Sequence, residues 1–233
     1  APLGDRYESL EDYRDQYRGM VTFWKFDRAK GQLDAARSFA MELPPYWQDL
    51  ADAGKKVSDG WVFLNSFNTE MSTGGIEEGR PPFEAGASQR DMDYLHVINL
   101  DKAAQVAETP GKTIEVKGFR VIPLQTSVEE GLLHFVPEPK SPHGVDVTPG
   151  GEFLVISGKL DPHVTIYSFA KIRAAIEKGT SDKDSYGVPI LRFEDVLEEQ
   201  IEVGLGPLHT QFDDKGYAYT SLFLDSAVAR WSL

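Results

Sequence analysis

The sequence predicts an all-β fold arranged as part of a β-propeller. Most of the chain consists of short alternating or β-rich runs separated by turn residues, with few helical stretches. Three pairs of these runs resemble the two middle strands of a propeller blade. The pairs are residues 60–67 with 93–100, 153–157 with 164–169, and 217–222 with 227–233.

The last two pairs belong to a longer repeat. Residues 142–169 and 208–233 share the same order: a His leading into a short strand, a Gly-containing turn, a second strand, a loop and a third strand. Self-similarity of this kind is typical of radial arrays, in which each blade packs only against its neighbours.

The remaining segments extend the pattern. Residues 20–27 and 38–43 are predicted to be the outer strands of a preceding blade, and 71–89 and 169–200 to be inserted loops. A helical pattern covers 170–178. These segments predict about three to four blades, fewer than most closed rings contain, so we expect a partial propeller.

Composition excludes several classes of partner. The chain has 233 residues, a net charge of -13 and no Cys. The acidic balance disfavours nucleic acid and anionic lipid, and no apolar run approaches the length of about 20 residues that a membrane-spanning helix needs. Without Cys, the chain has neither disulfides nor thiolate metal ligands.

Two of the five histidines occupy equivalent positions in the repeat. His143 follows Ser141-Pro142, and His209 follows Pro207-Leu208, each just before the predicted innermost strand of its blade. Innermost strands line the central channel, so equivalent imidazoles there converge on one axis and are suited to copper or zinc. A single His in this position is commonly an ordinary loop residue. The prediction of a metal site therefore depends on the equivalent repeat positions of the two histidines.

The other histidines lack this register. His96 and His134 lie within β-rich runs and are predicted to be strand residues, whereas His163 is predicted to lie in a loop. A separate acidic group, Glu70 with Asp91 and Asp93, flanks the first inserted loop and suits Ca²⁺, although solvated loop carboxylates would show the same pattern.

The residues around the two histidines also resemble a known family. Segments 141–168 and 204–231 look like the propeller domain of nitrous oxide reductase, and 42–70 is similar to the same domain in the branch of that family that is usually Sec-exported. The similarity covers the chain from about Met20 onward. It implies that residues 1–233 are a fragment of an N-terminal seven-bladed β-propeller domain, without the C-terminal cupredoxin domain that carries CuA.

The resemblance implies specific cofactors and ligands. His143 and His209 match copper ligands of the four-copper, sulfide-bridged CuZ cluster, and Glu70, Asp93 and the Phe67 carbonyl match ligands of a calcium ion. Two departures concern the calcium site: Ser141 stands where better-known members have Asn, and Phe67 stands where they have Tyr. A carbonyl ligand tolerates the second change, whereas the first removes an oxygen.

The resemblance also implies an activity. The intact enzyme reduces nitrous oxide to dinitrogen and water in denitrification, as a periplasmic homodimer supplied with electrons by a small donor such as cytochrome c or a cupredoxin. Two alternatives remain open from the residues: a non-catalytic β-propeller interaction scaffold, and a different metallo-propeller that holds zinc or a single copper.

Overall fold

The computed structural model describes residues 17–67, 93–139 and 141–232, which form an all-β, propeller-like array of four sheets with few helices. The strands are β1 Gly19–Asp27, β2 Gln32–Leu43, β3 Trp47–Ala53, β4 Trp61–Phe67, β5 Tyr94–Asn99, β6 Ile114–Val116, β7 Phe119–Ile122, β8 Leu133–Pro137, β9 Pro142–Val147, β10 Phe153–Gly158, β11 His163–Ser168, β12 Leu197–Glu202, β13 Pro207–Phe212, β14 Tyr217–Leu222 and β15 Ala227–Ser232. The helices are α1 Leu100–Ala107, α2 Leu124–Glu129, α3 Phe169–Lys178 and α4 Phe193–Val196, and a 3₁₀ turn spans Lys56–Ser58.

Three of the sheets have the strand order of propeller blades. The second sheet is β3-β4-β5-β8, the third is β9-β10-β11-β12 and the fourth is β13-β14-β15, with every neighbouring pair antiparallel. In each, the first strand in the chain lies at one edge, and the chain then moves outward strand by strand. Strands β3, β9 and β13 are therefore the innermost strands, and the three predicted strand pairs are confirmed.

The first sheet is built differently. Strands β1 and β2 pair as predicted, but the sheet is completed by β7 and β6, and β7 lies parallel to β2. These two strands belong to a segment between β5 and β8 of the second sheet. Arg120 fixes this segment, since its guanidinium donates to the carbonyl oxygens of Ala107 and Ala36 at 3.1 and 3.0 Å. The sequence pattern did not predict this inserted hairpin.

Apolar side chains from both faces of a sheet pack against the neighbouring sheets. On β10, Leu154 and Ile156 belong to the core between the second and third sheets, whereas Val155 belongs to the core between the third and fourth. Alternation along one strand thus fills two cores, because successive side chains point to opposite faces. A third core joins the first and second sheets around Met41 and Ile98.

Other sequence predictions have mixed outcomes. The helical pattern over 170–178 is confirmed by α3, which the Ser168 side chain caps at its first turn. His143 and His209 lie inside β9 and β13 and not ahead of them, because extended pairing already begins at Pro142 and Pro207. His163 likewise begins β11 and is not a loop residue. The 71–89 loop lies outside the described residues.

Candidate metal centre

His143 and His209 lie side by side. Their ring centroids are 5.2 Å apart and the ring planes meet at 64°. The side chains are 28% and 45% exposed, so both rings are open to solvent. The pair is contributed by β9 and β13, the innermost strands of adjacent sheets. The structure therefore brings together the two histidines that the repeat places in register.

Close contact between β9 and β13 depends on Gly144. A methyl group at that position would lie 1.8 Å from the carbonyl oxygen of Leu208, the residue before His209. Backbone cannot move aside as a flexible side chain can, so only glycine permits this approach. Gly144 thus helps to set the spacing of the two imidazoles.

Asp49 holds the His143 ring from the second sheet. Its Oδ2 lies 3.0 Å from Nδ1 of His143. Asp49 occupies an irregularity in the β3–β4 pairing between Gln48 and Ala51, where Asn65 Oδ1 accepts a hydrogen bond from the Leu50 amide at 3.0 Å. Bulges of this kind redirect a side chain. The innermost strands of three successive sheets therefore meet at the histidine pair.

Asp146 is the corresponding carboxylate beside His209. Its Oδ1 lies 3.5 Å from Nδ1 of His209, a long contact, and its Oδ2 accepts a shorter hydrogen bond of 2.7 Å from the Thr210 amide. Burial raises the pKa of Asp146, and the Thr210 amide and His209 offset only part of that effect. Asp146 chiefly ties β9 to β13 and contacts the second imidazole weakly.

The carboxylates determine which ring nitrogen is available. A neutral imidazole that donates its Nδ1 proton to a carboxylate carries a lone pair on Nε2, and that nitrogen can bind a metal. Asp49 defines this tautomer for His143 through a contact of normal hydrogen-bond length. The arrangement offers two nitrogen donors of the kind that copper and zinc accept.

Two donors do not complete a site. Within the described ranges, no group of three or more His, Cys, Asp or Glu side chains could hold a metal ion. The donor chemistry fits copper, but further ligands would have to come from residues other than those described.

The remaining histidines are separate from the pair. His96 and His134 are buried on β5 and β8, and burial lowers the pKa of each to about 4. His163 is bonded through Nδ1 to Asp161 at 2.9 Å, away from the innermost strands. The prediction that His96 and His134 are strand residues is confirmed.

The predicted calcium ligands are only partly described. Glu70 and Asp91 lie outside the described residues, and Phe67 is described only in its backbone, as the end of β4. Asp93 is buried immediately before β5. Glu138, which was not predicted as a ligand, is buried immediately after β8 and next to Asp93 in the sheet.

Asp49 and Asp146 were also not predicted from the sequence. Asp146 stands three residues after His143, but nothing in the sequence distinguishes it from other strand acids. Asp49 is 94 residues from its partner and reaches it only because β3 is irregular. The available signal was general: imidazoles at a metal site usually have a carboxylate on the opposite nitrogen.

Comparison with known proteins shows that the chain is similar in sequence to several nitrous-oxide reductases. It is 37% identical over 203 residues to the nitrous-oxide reductase of Cupriavidus necator, an alignment covering 87% of the chain and 25% of that relative. It is 26% identical over 203 residues to the enzyme of Ralstonia nicotianae, covering 87% and 25%. The enzyme of Pseudomonas fluorescens matches at 31% over 152 residues, covering 64% and 22%.

The chain is a distant relative of the nitrous-oxide reductases. It spans about a quarter of the length of the curated nitrous-oxide reductases that it matches. No family model matches the chain.

A solved structure supports the fold alone. Hydrazine synthase from Kuenenia stuttgartiensis superposes with a TM-score of 0.52 at 14% identity, covering 89% of this chain and 50% of that one. Identity at that level carries no inference about chemistry, which depends on the residues at a site.

Proposed function

We propose that this chain contributes His143 and His209 to the copper centre of an enzyme that reduces nitrous oxide to dinitrogen and water. The observation that carries the proposal is the imidazole pair, with ring centroids 5.2 Å apart on adjacent innermost strands. The distant relationship to nitrous-oxide reductases supplies the substrate, since their name states it.

The copper centre would supply two electrons to bound nitrous oxide, which takes up two protons and yields dinitrogen and water. His143 and His209 would act as ligands, not as proton donors. Asp49 would keep His143 oriented with Nε2 unprotonated. Asp146 would hold β9 and β13 together through the Thr210 amide, and thus keep the two rings adjacent.

The proposal includes the larger assembly that the sequence resemblance implies. Residues 1–233 would be part of a seven-bladed N-terminal propeller. In the complete polypeptide, a C-terminal cupredoxin domain that carries CuA would follow this propeller. Apolar side chains exposed on the first and fourth sheets support further packing, among them Trp24 on β1 and Val228 on β15. We propose a homodimer that takes electrons from a cytochrome c or a cupredoxin.

The proposal also includes a bound calcium ion and a periplasmic location. Asp93, with Glu70 and the Phe67 carbonyl, would bind a calcium ion, and the protein would act in the periplasm. Among the described residues, no helix is both long and apolar enough to cross a membrane.

Copper content of histidine variants tests the proposal. His143→Ala and His209→Ala, made in the complete reductase polypeptide, are each expected to lose most of the copper bound at this centre and its visible absorption. His163→Ala is the matched control, because His163 is also a partly exposed imidazole bonded through Nδ1 to an Asp. Unchanged copper in both variants would favour a non-catalytic scaffold, and zinc in place of copper would favour a different metallo-propeller.

A further inference from the structure

A pair of buried carboxylates lies at one end of the second sheet. Asp93 immediately precedes β5 and Glu138 immediately follows β8, and these antiparallel strands pair Tyr94 with Pro137. The Glu138 amide donates to the Asp93 carbonyl oxygen at 2.9 Å. Glu138 is 6% exposed and Asp93 is 1% exposed. Two acidic groups are thus held next to each other away from water.

Glu138 is enclosed without a hydrogen-bond partner. No described side chain donates a hydrogen bond to either carboxylate oxygen, and the Ser66 amide approaches the carboxylate without meeting hydrogen-bonding geometry. Nearby hydroxyl groups donate elsewhere: Tyr167 Oη to the Pro137 carbonyl oxygen, and Ser66 Oγ to the Tyr94 carbonyl oxygen. A buried carboxylate without a partner is costly, so it must either take up a proton or be neutralised by a cation.

Charge and donor type favour a divalent cation. Two carboxylates carry two negative charges, which one divalent ion balances, and oxygen donors at irregular strand ends are the ligands that calcium prefers. Without a cation, burial and neighbouring Asp93 raise the pKa of Glu138 well above its usual range, and the Ser66 backbone offsets this only in part.

Glu138 lies three residues before Ser141, the position at which the resemblance places an Asn calcium ligand. Ser141, which stands where the resemblance places Asn, is buried with a left-handed backbone, φ 57°. A serine hydroxyl reaches less far than an asparagine carbonyl. Glu138, three residues earlier, is buried with its amide bonded to the Asp93 backbone, and its carboxylate lies near enough for the Asp93 charge to raise its pKa.

We infer that Glu138 is a ligand of the cation at Asp93, and that its carboxylate replaces the oxygen lost with Ser141. This inference rests on the calcium part of the proposed function and not on the copper part. Calcium content and thermal stability therefore test it independently of enzyme activity.

The experiment compares the wild-type protein with Glu138→Gln, which keeps the side-chain shape and removes the charge. Each protein is stripped with a chelator, titrated with CaCl₂ and assayed for bound calcium and thermal midpoint. The wild type is expected to bind calcium at this site with a rise in midpoint, and Glu138→Gln to bind it at least tenfold more weakly. Glu115→Gln, at an exposed position on β6, is the matched control and should bind calcium as the wild type does.

Two results would overturn the inference. One is calcium binding by Glu138→Gln equal to that of the wild type. The other is a wild type that shows no calcium binding; greater stability of Glu138→Gln in chelator would then mean that the carboxylate pair holds a proton. Copper measured on the wild type separates this inference from the copper proposal, because a wild type that binds calcium but no copper contradicts only the copper proposal.

Discussion

A carboxylate on the Nδ1 side of His143 leaves Nε2 as the ring nitrogen that is available to a metal. Asp49 reaches that nitrogen at 3.0 Å, whereas Asp146 reaches Nδ1 of His209 at 3.5 Å and bonds more closely to the Thr210 amide. The two histidines are thus equivalent in the repeat but not in their surroundings. His143 is therefore the more firmly oriented of the two imidazoles.

Asp49→Asn is expected to weaken copper binding without unfolding the protein. The neutral amide accepts the Nδ1 hydrogen more weakly than a carboxylate and can instead donate to Nδ1, and loss of a carboxylate partner typically reduces metal affinity by about 10- to 100-fold. Competition with a copper chelator measures the change. Asp161→Asn, beside His163, is the control and should have no effect. Equal copper affinity in Asp49→Asn and the wild type would show that Asp49 does not act through His143.

The elements at the site are positioned by contacts that local sequence patterns do not encode. Strand pairs such as β10 with β11 were predictable, because a short continuous apolar run bounded by turn residues, as in β10, identifies a strand whose two faces are both packed. The β6–β7 hairpin was not, since its partner β2 lies about 80 residues earlier and the pairing is parallel. The contact between Asp49 and His143 was equally unpredictable. The direction of the Asp49 side chain depends on an irregularity in the β3–β4 pairing that Asn65 on β4 stabilises.

Gly144→Ala tests the approach of β9 to β13. The added methyl group would meet the Leu208 carbonyl oxygen, so β13 must move away and carry His209 with it. Overpacking of this kind typically costs about 1–3 kcal/mol in stability. Urea denaturation should show that loss, together with reduced copper binding. Gly118→Ala, at an open position with positive φ, is the control: it should cost stability through strain alone and leave copper binding unchanged.

At the scale of the whole molecule, buried histidines and buried aspartates make the free energy of unfolding change with pH in opposite directions. Burial lowers the pKa of His96 and His134 to about 4, so the unfolded state binds more protons between about pH 6.5 and 4. Their contribution to stability is complete above pH 6.5 and is lost as the pH falls towards 4. Asp146 and Asp184 have pKa values raised mainly by burial, so their contribution is lost as the pH rises above 4.

His96→Leu isolates one of these contributions. His96 lies against Tyr46 and Phe135, so an apolar replacement keeps the packing and removes the titration. Between pH 6.5 and 4.5, the wild type should lose more stability than the variant, by up to about 1.4 kcal/mol per pH unit. Urea unfolding at the two pH values measures this. Identical losses in the two proteins would mean that His96 titrates normally in the folded state.

The central claim is that His143 and His209 bind one metal ion or cluster together. Copper affinity in the wild type, His143→Ala, His209→Ala and the double variant tests it directly, as a double-mutant cycle. If the two rings share a site, either single change removes most of the affinity and the double change adds little. Effects that simply add, or single variants that retain wild-type affinity, would contradict the claim.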